Sequence, residues 1–161
     1  MSPPPRSHST TRSVRLMLVD DHFFVRMGLA DSLSDEPDLE VVATAASGAE
    51  AIAWFRKHRP DVVLLDLQLP DREGSEVLRD IRAESPAARV LMLTVNVGEE
   101  DVLRCVESGV SGYLPKSSER RDIIRAIREV AAGREHLPPE QAKNLKPAAS
   151  GPTSPHAKWR R

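Results

Sequence analysis

Asp61-Val62-Val63-Leu64-Leu65-Asp66 decides how the chain folds. Four apolar residues follow one another without polar alternation and end on a carboxylate. Leu67-Gln68-Leu69-Pro70-Asp71 then reads as a loop closed by a proline. A short unbroken apolar run fits a parallel strand buried on both faces. Ligands of open parallel sheets bind at the carboxyl ends of the strands, so Asp66 is a charge delivered into a crevice.

Outward from that strand the same pattern repeats. Val14–Val19, Glu40–Ala45, Arg89–Thr94 and Gly112–Leu114 read as four further strands. Between and after them lie helical stretches: His22–Ser34 with Phe24, Met27, Leu29 and Leu33 as its apolar positions, then a helix opened by the capping-box pattern Ser47-Gly48-Ala49-Glu50. Gly74–Ala83, Glu99–Ser108 and Glu119–Ala132 follow, the last capped by Ser117-Ser118 and ended by Gly133. Five strands alternating with five helices imply right-handed crossovers and a parallel sheet. The expected fold is α/β, flavodoxin-like (βα)5, a doubly wound parallel sheet of strand order 2-1-3-4-5. Residues 14–135 form the domain, after a disordered tail at 1–13. Residues 136–161 are expected to hold a short helical turn at Pro138-Pro139-Glu140 and then a basic linker or tail.

Composition narrows the function. Forty per cent apolar and 29 per cent charged residues suit a globular domain, and no apolar run nears the roughly 18 residues that cross a bilayer. The first 13 residues have no apolar core, so they are not a secretory signal. A cytoplasmic protein without membrane contact is expected. Cys105 is the one cysteine; with Val102 and Val106 at helical spacing it reads as a buried small hydrophobe. Net charge is −1, but Arg6, Arg12, Lys143, Lys146, Lys158, Arg160 and Arg161 lie in ends that hold no acid, which leaves residues 14–142 at −8. So acidic a segment is a poor nucleic-acid surface.

Five polar residues share one address. Asp20 and Asp21 follow strand one, Asp66 ends strand three, Thr94 ends strand four and Lys116 follows strand five. Taken singly, each has a plain structural reading: a helix cap, a strand-end hydroxyl, a surface lysine. Together they meet at one rim of the expected sheet. Three clustered carboxylates resist ionising without a cation, and Mg²⁺, with its preference for a few carboxylates plus water and phosphate oxygens, is the natural guest. An aspartate beside that metal can attack phosphorus to form an acyl phosphate. Lys116 and Thr94 are suitable clamps for the charge on the phosphoryl oxygens.

These residues resemble the receiver domain of two-component response regulators over 14 to about 135. The resemblance runs through Val19-Asp20-Asp21-His22, Leu64-Leu65-Asp66-Leu67-Gln68-Leu69-Pro70, Leu93-Thr94 and Gly112-Tyr113-Leu114-Pro115-Lys116. Ala126-Ile127-Arg128, Ala131-Ala132-Gly133 and Leu137-Pro138-Pro139-Glu140 are similar to the NarL/FixJ subfamily in particular. The resemblance implies that Asp66 accepts a phosphoryl group from a histidine kinase. It implies that Asp21, Asp66 and the backbone carbonyl of Gln68 hold Mg²⁺, with Asp20 acting through water. Lys116 and Thr94 then bind the phosphate. Thr94 and Tyr113 are the switch pair that reshapes the face made by helix four, strand five and helix five. Such a domain is a signalling module, not an enzyme with a separate substrate.

The chain departs from the family pattern at Ser117, where a proline often follows the lysine, at Val95, which is bulkier than the usual residue, and at Glu73, where aspartate is frequent. NarL/FixJ regulators continue into a DNA-binding helix-turn-helix; residues 141–161 are too short and too rich in Pro and Gly to form one. A regulator cut in its linker, or a stand-alone receiver that works as a protein-binding module, is therefore expected, with DNA reached only through a domain absent here. A homodimer is expected through helices one and five or through the helix 4–strand 5–helix 5 face, because Ile123, Ile124, Ile127 and Val130 exceed one buried stripe. An Mg²⁺-dependent aspartyl phosphatase is the competing enzyme class, but it wants a second aspartate where Gln68 stands.

Overall fold

The computed structural model describes residues 12–95 and 98–137. Residues 1–11, 96–97 and 138–161, which include the expected turn at Pro138-Pro139-Glu140 and the basic end, lie outside the described residues. Strands β1 (Val14–Val19), β2 (Leu39–Ala45), β3 (Val62–Asp66), β4 (Arg89–Thr94) and β5 (Gly112–Pro115) alternate with helices α1 (Phe23–Ser34), α2 (Gly48–His58), α3 (Gly74–Glu84), α4 (Glu99–Glu107) and α5 (Arg120–Ala131). All strand pairs are parallel and the order is β2-β1-β3-β4-β5, the doubly wound flavodoxin-like arrangement.

Strand parity builds two cores. Met17, Val19, Val63, Leu65, Val90 and Met92 point to one face of the sheet and pack on Ala51 and Phe55 of α2, Val77, Leu78 and Ile81 of α3, and Val102 and Cys105 of α4. Leu16, Leu18, Val62, Leu64, Leu91 and Leu93 point to the other, against Leu33 of α1 and the apolar stripe of α5. Because β3 is central, it is buried along its whole length, and its carboxyl end carries Asp66. Cys105 is fully buried, and burial pushes its thiol up to about 12, as suits a packing residue.

Helix ends show what spacing could and could not read. Ser47 accepts the Glu50 amide at 3.2 Å, but the Glu50 carboxylate takes the amide of Ala46 at 3.0 Å, one residue before a regular capping box. The start of α2 is held as well by Asp71, whose two oxygens accept the Gly48 and Ala49 amides at 2.8 and 3.0 Å. At α5 the expected serine cap is absent: Glu119 is the N-cap and makes no capping bond, while the Ser118 hydroxyl donates to the Pro115 carbonyl at 2.7 Å. Gly133, at φ +92°, closes α5 as expected, its amide donating to Val130 O and that of Arg134 to Glu129 O.

The structure places two apolar faces that spacing left open or misjudged. In α1, Phe24 is 84 % exposed and Met27 52 %, with Phe23 and Val25 also at the surface; Leu33 is the only residue of α1 that is buried. The helix is apolar on more than one side, so its periodicity did not say which side faces the sheet. Conversely, Ile123, Ile124, Ile127 and Val130 of α5 are all buried, because α5 covers β3, β4 and β5 as well as flanking α1. The surplus apolar patch therefore belongs to α1. The polar side of α5 is tied down too, Arg120 and Arg128 reaching Glu36 at 2.8 and 2.7 Å.

Exchanging Phe55 for Ala should cost about 3–5 kcal/mol in urea unfolding, as expected for a large buried ring, whereas Phe24→Ser should change stability by less than about 0.5 kcal/mol. Equal losses would contradict the packing described.

Candidate functional site

The carboxyl rim of the sheet is built by backbone pairing. Val19 sits beside Leu65, Asp66 beside Leu93 and Thr94 beside Pro115, so the residues that leave β1, β3, β4 and β5 emerge side by side. The Lys116 amide donates to the Thr94 carbonyl at 2.7 Å, which extends the β4–β5 pairing to the lysine itself. Gly74 lets α3 start directly under this rim: a Cβ there would strike the carbonyl oxygen of Asp66 and lie 2.8 Å from Leu67 Cα.

Four of the expected residues converge closely. Lys116 Nζ lies 2.7 Å from Asp20 Oδ2 and 3.0 Å from Asp66 Oδ2, with all three side chains largely shielded from water. The Asp66 Oδ1 atom accepts the Gln68 amide at 3.2 Å. Asp20 Oδ1 accepts the His22 amide, and His22 Nδ1 stands 2.8 Å from it and 3.2 Å from Asp21 Oδ1. Asp21 lies at the rim, partly exposed. Thr94 is buried at the end of β4 near the hydroxyl of Tyr113, whose ring is wholly inside the core. The ring is thus already inward in this structure. Val95 stands exposed beside the site.

Two residues in the site went unassigned from sequence. His22 reads as the residue that merely follows an acidic pair, yet its ring spans both acids. Glu73, one residue before Gly74, pairs with Arg104 of α4 at 3.1 Å, a contact that spacing cannot foresee.

Charge at the rim is unequal. Burial pushes the Asp20 carboxyl up, but donors from Lys116 and His22 outweigh it and hold the group below the ordinary 3.8. Asp66 goes the other way. Burial dominates there, Lys116 and the Gln68 amide offset it only in part, and the Asp20 charge adds to it, so its carboxyl is raised. Burial also works against the Lys116 ammonium, but its bonds to Asp20 and Asp66 prevail and raise it.

One ligand atom from each of Asp20, Asp21, His22 and Asp66 lies within 4.8 Å of the others, close enough for one metal ion to touch several of them. The donor set suits a hard divalent cation, being chiefly carboxylate oxygen. Asp20 Oδ2 supports the fit: it is buried and, among the described residues, meets only the Lys116 ammonium at 2.7 Å, which leaves it a lone pair for a cation.

Fold and rim together define a response regulator receiver domain, and the chain belongs to that family, whose model matches residues 16–128. It is 44% identical over 124 residues to the DNA-binding transcriptional activator DevR/DosR of Mycobacterium tuberculosis, covering 77% of this chain and 57% of that one. A crystal structure of a LuxR-family two-component response regulator from Aurantimonas sp. SI85-9A1 superposes with a TM-score of 0.78 at 39% identity, over 84% of this chain and 97% of that one. The receiver domain of the putative response regulator NarL from Mycobacterium tuberculosis gives a TM-score of 0.74 at 33% identity, over 76% and 99% of the two chains. The domain is thus a receiver of the NarL/LuxR type. The chain spans about 57–61% of the length of the curated relatives it matches. Among the described residues, no helix is long and apolar enough to cross a membrane.

Asp66 is raised in the fold, so its ionised form opposes folding above its folded pKa, and that cost disappears below the unfolded value near 3.8. Asp66→Asn should therefore stabilise the metal-free protein at neutral pH, with the gain shrinking as the pH falls through the Asp66 titration. Lys116→Met should act oppositely, losing about 3–5 kcal/mol by leaving two buried carboxylates without their cation. Urea midpoints in chelator across that pH range check both signs.

Proposed function

We propose that this domain is the phosphoacceptor of a two-component pathway, with Asp66 taking a phosphoryl group from the phosphohistidine of a histidine kinase. The reading is carried by one observation: an ammonium clamped between two buried carboxylates, one of which is raised and ends the central strand. Lys116 is bonded to Asp66 Oδ2, which leaves Oδ1, with its single long bond from Gln68, as the less committed oxygen. In the transfer the bond from phosphorus to the imidazole nitrogen breaks as the bond to an Asp66 oxygen forms, giving a mixed anhydride. Lys116 then changes partner from the Asp66 carboxylate to a phosphate oxygen, and the Thr94 hydroxyl donates to another. Asp21, Asp66 and the Gln68 carbonyl would hold Mg²⁺, with Asp20 acting through water. When bound, the ion supplies charge neutralisation between the carboxylates and the incoming phosphoryl oxygens.

A Thr94 hydroxyl drawn toward the phosphate moves away from the Tyr113 hydroxyl it lies near, so modification at Asp66 is felt in the core between α4 and β5. That is the switch: a local charge change biasing two packings. The exposed ring pair Phe23 and Phe24, with Val25 and Met27, stands at the start of α1 beside the site and offers apolar contact to a protein donor. Residues 14–135 act as the receiver and 136–161 as the lead to an output. Transcription control through a DNA-binding domain, as in the similar activator, and a cytoplasmic location complete the proposal.

Incubation with a small acyl phosphate and Mg²⁺ should add one phosphoryl group, seen by intact mass, and Asp66→Asn should abolish it. Labelling that persists in Asp66→Asn refutes the assignment. Mg²⁺ at 100 times its dissociation constant should stabilise the wild type by about 2.7 kcal/mol and the Asp21→Asn, Asp66→Asn double variant hardly at all.

A further inference from the structure

The outer edge of β5 is covered by the chain's own continuation. After α5 the backbone turns at Gly133 and runs back along the strand, and His136 forms a parallel bridge with Gly112. The Tyr113 amide donates to the His136 carbonyl, and the His136 amide to the Ser111 carbonyl, both at 2.9 Å. The imidazole is fixed separately, Nδ1 lying 2.7 Å from Glu129 Oε1 on α5. Leu137 packs against the core cluster that contains Tyr113. Gly112 permits this approach: a Cβ there would lie 2.7 Å from the His136 carbonyl oxygen and 2.7 Å from Leu91 Cδ1. Further along the edge Pro115 has the same parity as Tyr113 but no N–H to offer.

Edge strands need some cover, and any segment could supply it. Here the bonded residue is the one whose hydroxyl lies near Thr94. Tyr113 is held at its amide by His136, and its buried hydroxyl lies near Thr94. A shift of Tyr113 that carries its backbone along therefore strains the bridge.

We propose that residues 134–137 are a strap that couples Tyr113 to the chain beyond α5. Displacing Tyr113 releases the strap, and releasing the strap frees Tyr113, a reciprocity required of any equilibrium coupling. That Asp66 drives the displacement rests on the phosphoacceptor reading; the coupling itself does not.

The sequence holds one tyrosine, so fluorotyrosine incorporation gives a single fluorine resonance that reports on Tyr113. His136→Pro removes the amide that donates to Ser111, and Gly112→Ala drives a methyl group into the His136 carbonyl. In either variant that still unfolds cooperatively, the resonance should shift or split, and exchange of the Tyr113 amide should quicken about tenfold while β3 amides stay protected. An unchanged resonance with unchanged exchange overturns the strap. In the wild type, loading Asp66 from a small acyl phosphate with Mg²⁺ should quicken exchange at the His136 amide, and the Asp66→Asn protein should show no such change. Loading verified by mass with His136 still protected overturns the link from site to strap. Failure to load overturns the phosphoacceptor reading instead, and the two variants then decide the strap alone.

Discussion

A single ammonium, that of Lys116, stands between the Asp20 and Asp66 carboxylates at 2.7 and 3.0 Å with little water around any of the three. Two buried like charges repel, and each keeps its charge only because the third group neutralises them. The arrangement is balanced but not symmetrical. Asp20 has further donors from His22 and is held ionised, whereas Asp66 has fewer and is raised. The residue that the fold satisfies least is thus the one at the end of the central strand. A group kept short of partners is ready to gain one, which is what the proposed phosphoacceptor role asks of Asp66.

The sheet makes that trio possible. No two of its members are close along the chain, and they meet because β1, β3 and β5 end at one level, with β4 between them. Each strand contributes its buried side chains to both cores, so the register cannot slip without moving every one of them. The rim is therefore as rigid as the core beneath it. Around it the loops are pinned as well: Asp71 caps α2 from the loop that carries Gln68, and Gly74 seats α3 against Asp66.

Much of this was legible beforehand. Unbroken apolar runs such as Val62–Leu65 mark buried parallel strands, and their alternation with helices leaves few topologies. Strand-end polar residues then fall on one rim by geometry. What misled was α1, where Phe24 and Met27 follow a helical period yet face solvent, and α5, whose surplus isoleucines are all consumed by the sheet and α1. Periodicity reports that a helix has an apolar side, but how much of it is covered depends on the elements placed beside it. The Ser117-Ser118 pair misled for a related reason, since a hydroxyl in a turn can serve the preceding carbonyl as well as the following amides.

By itself the amino-acid sequence determined the order and type of the elements and which polar residues end its strands; the strand order came with the flavodoxin-like arrangement that such alternation resembles. These follow from local pattern and from the handedness of crossovers, both properties of contiguous chain. Only the tertiary structure decided which acid shares Lys116 with Asp66, that His22 spans both acids, that Tyr113 lies inward, and that His136 returns to β5. Those depend on side chains and backbone meeting across distances along the chain that no short-range pattern encodes, and on how burial and charge divide once they meet.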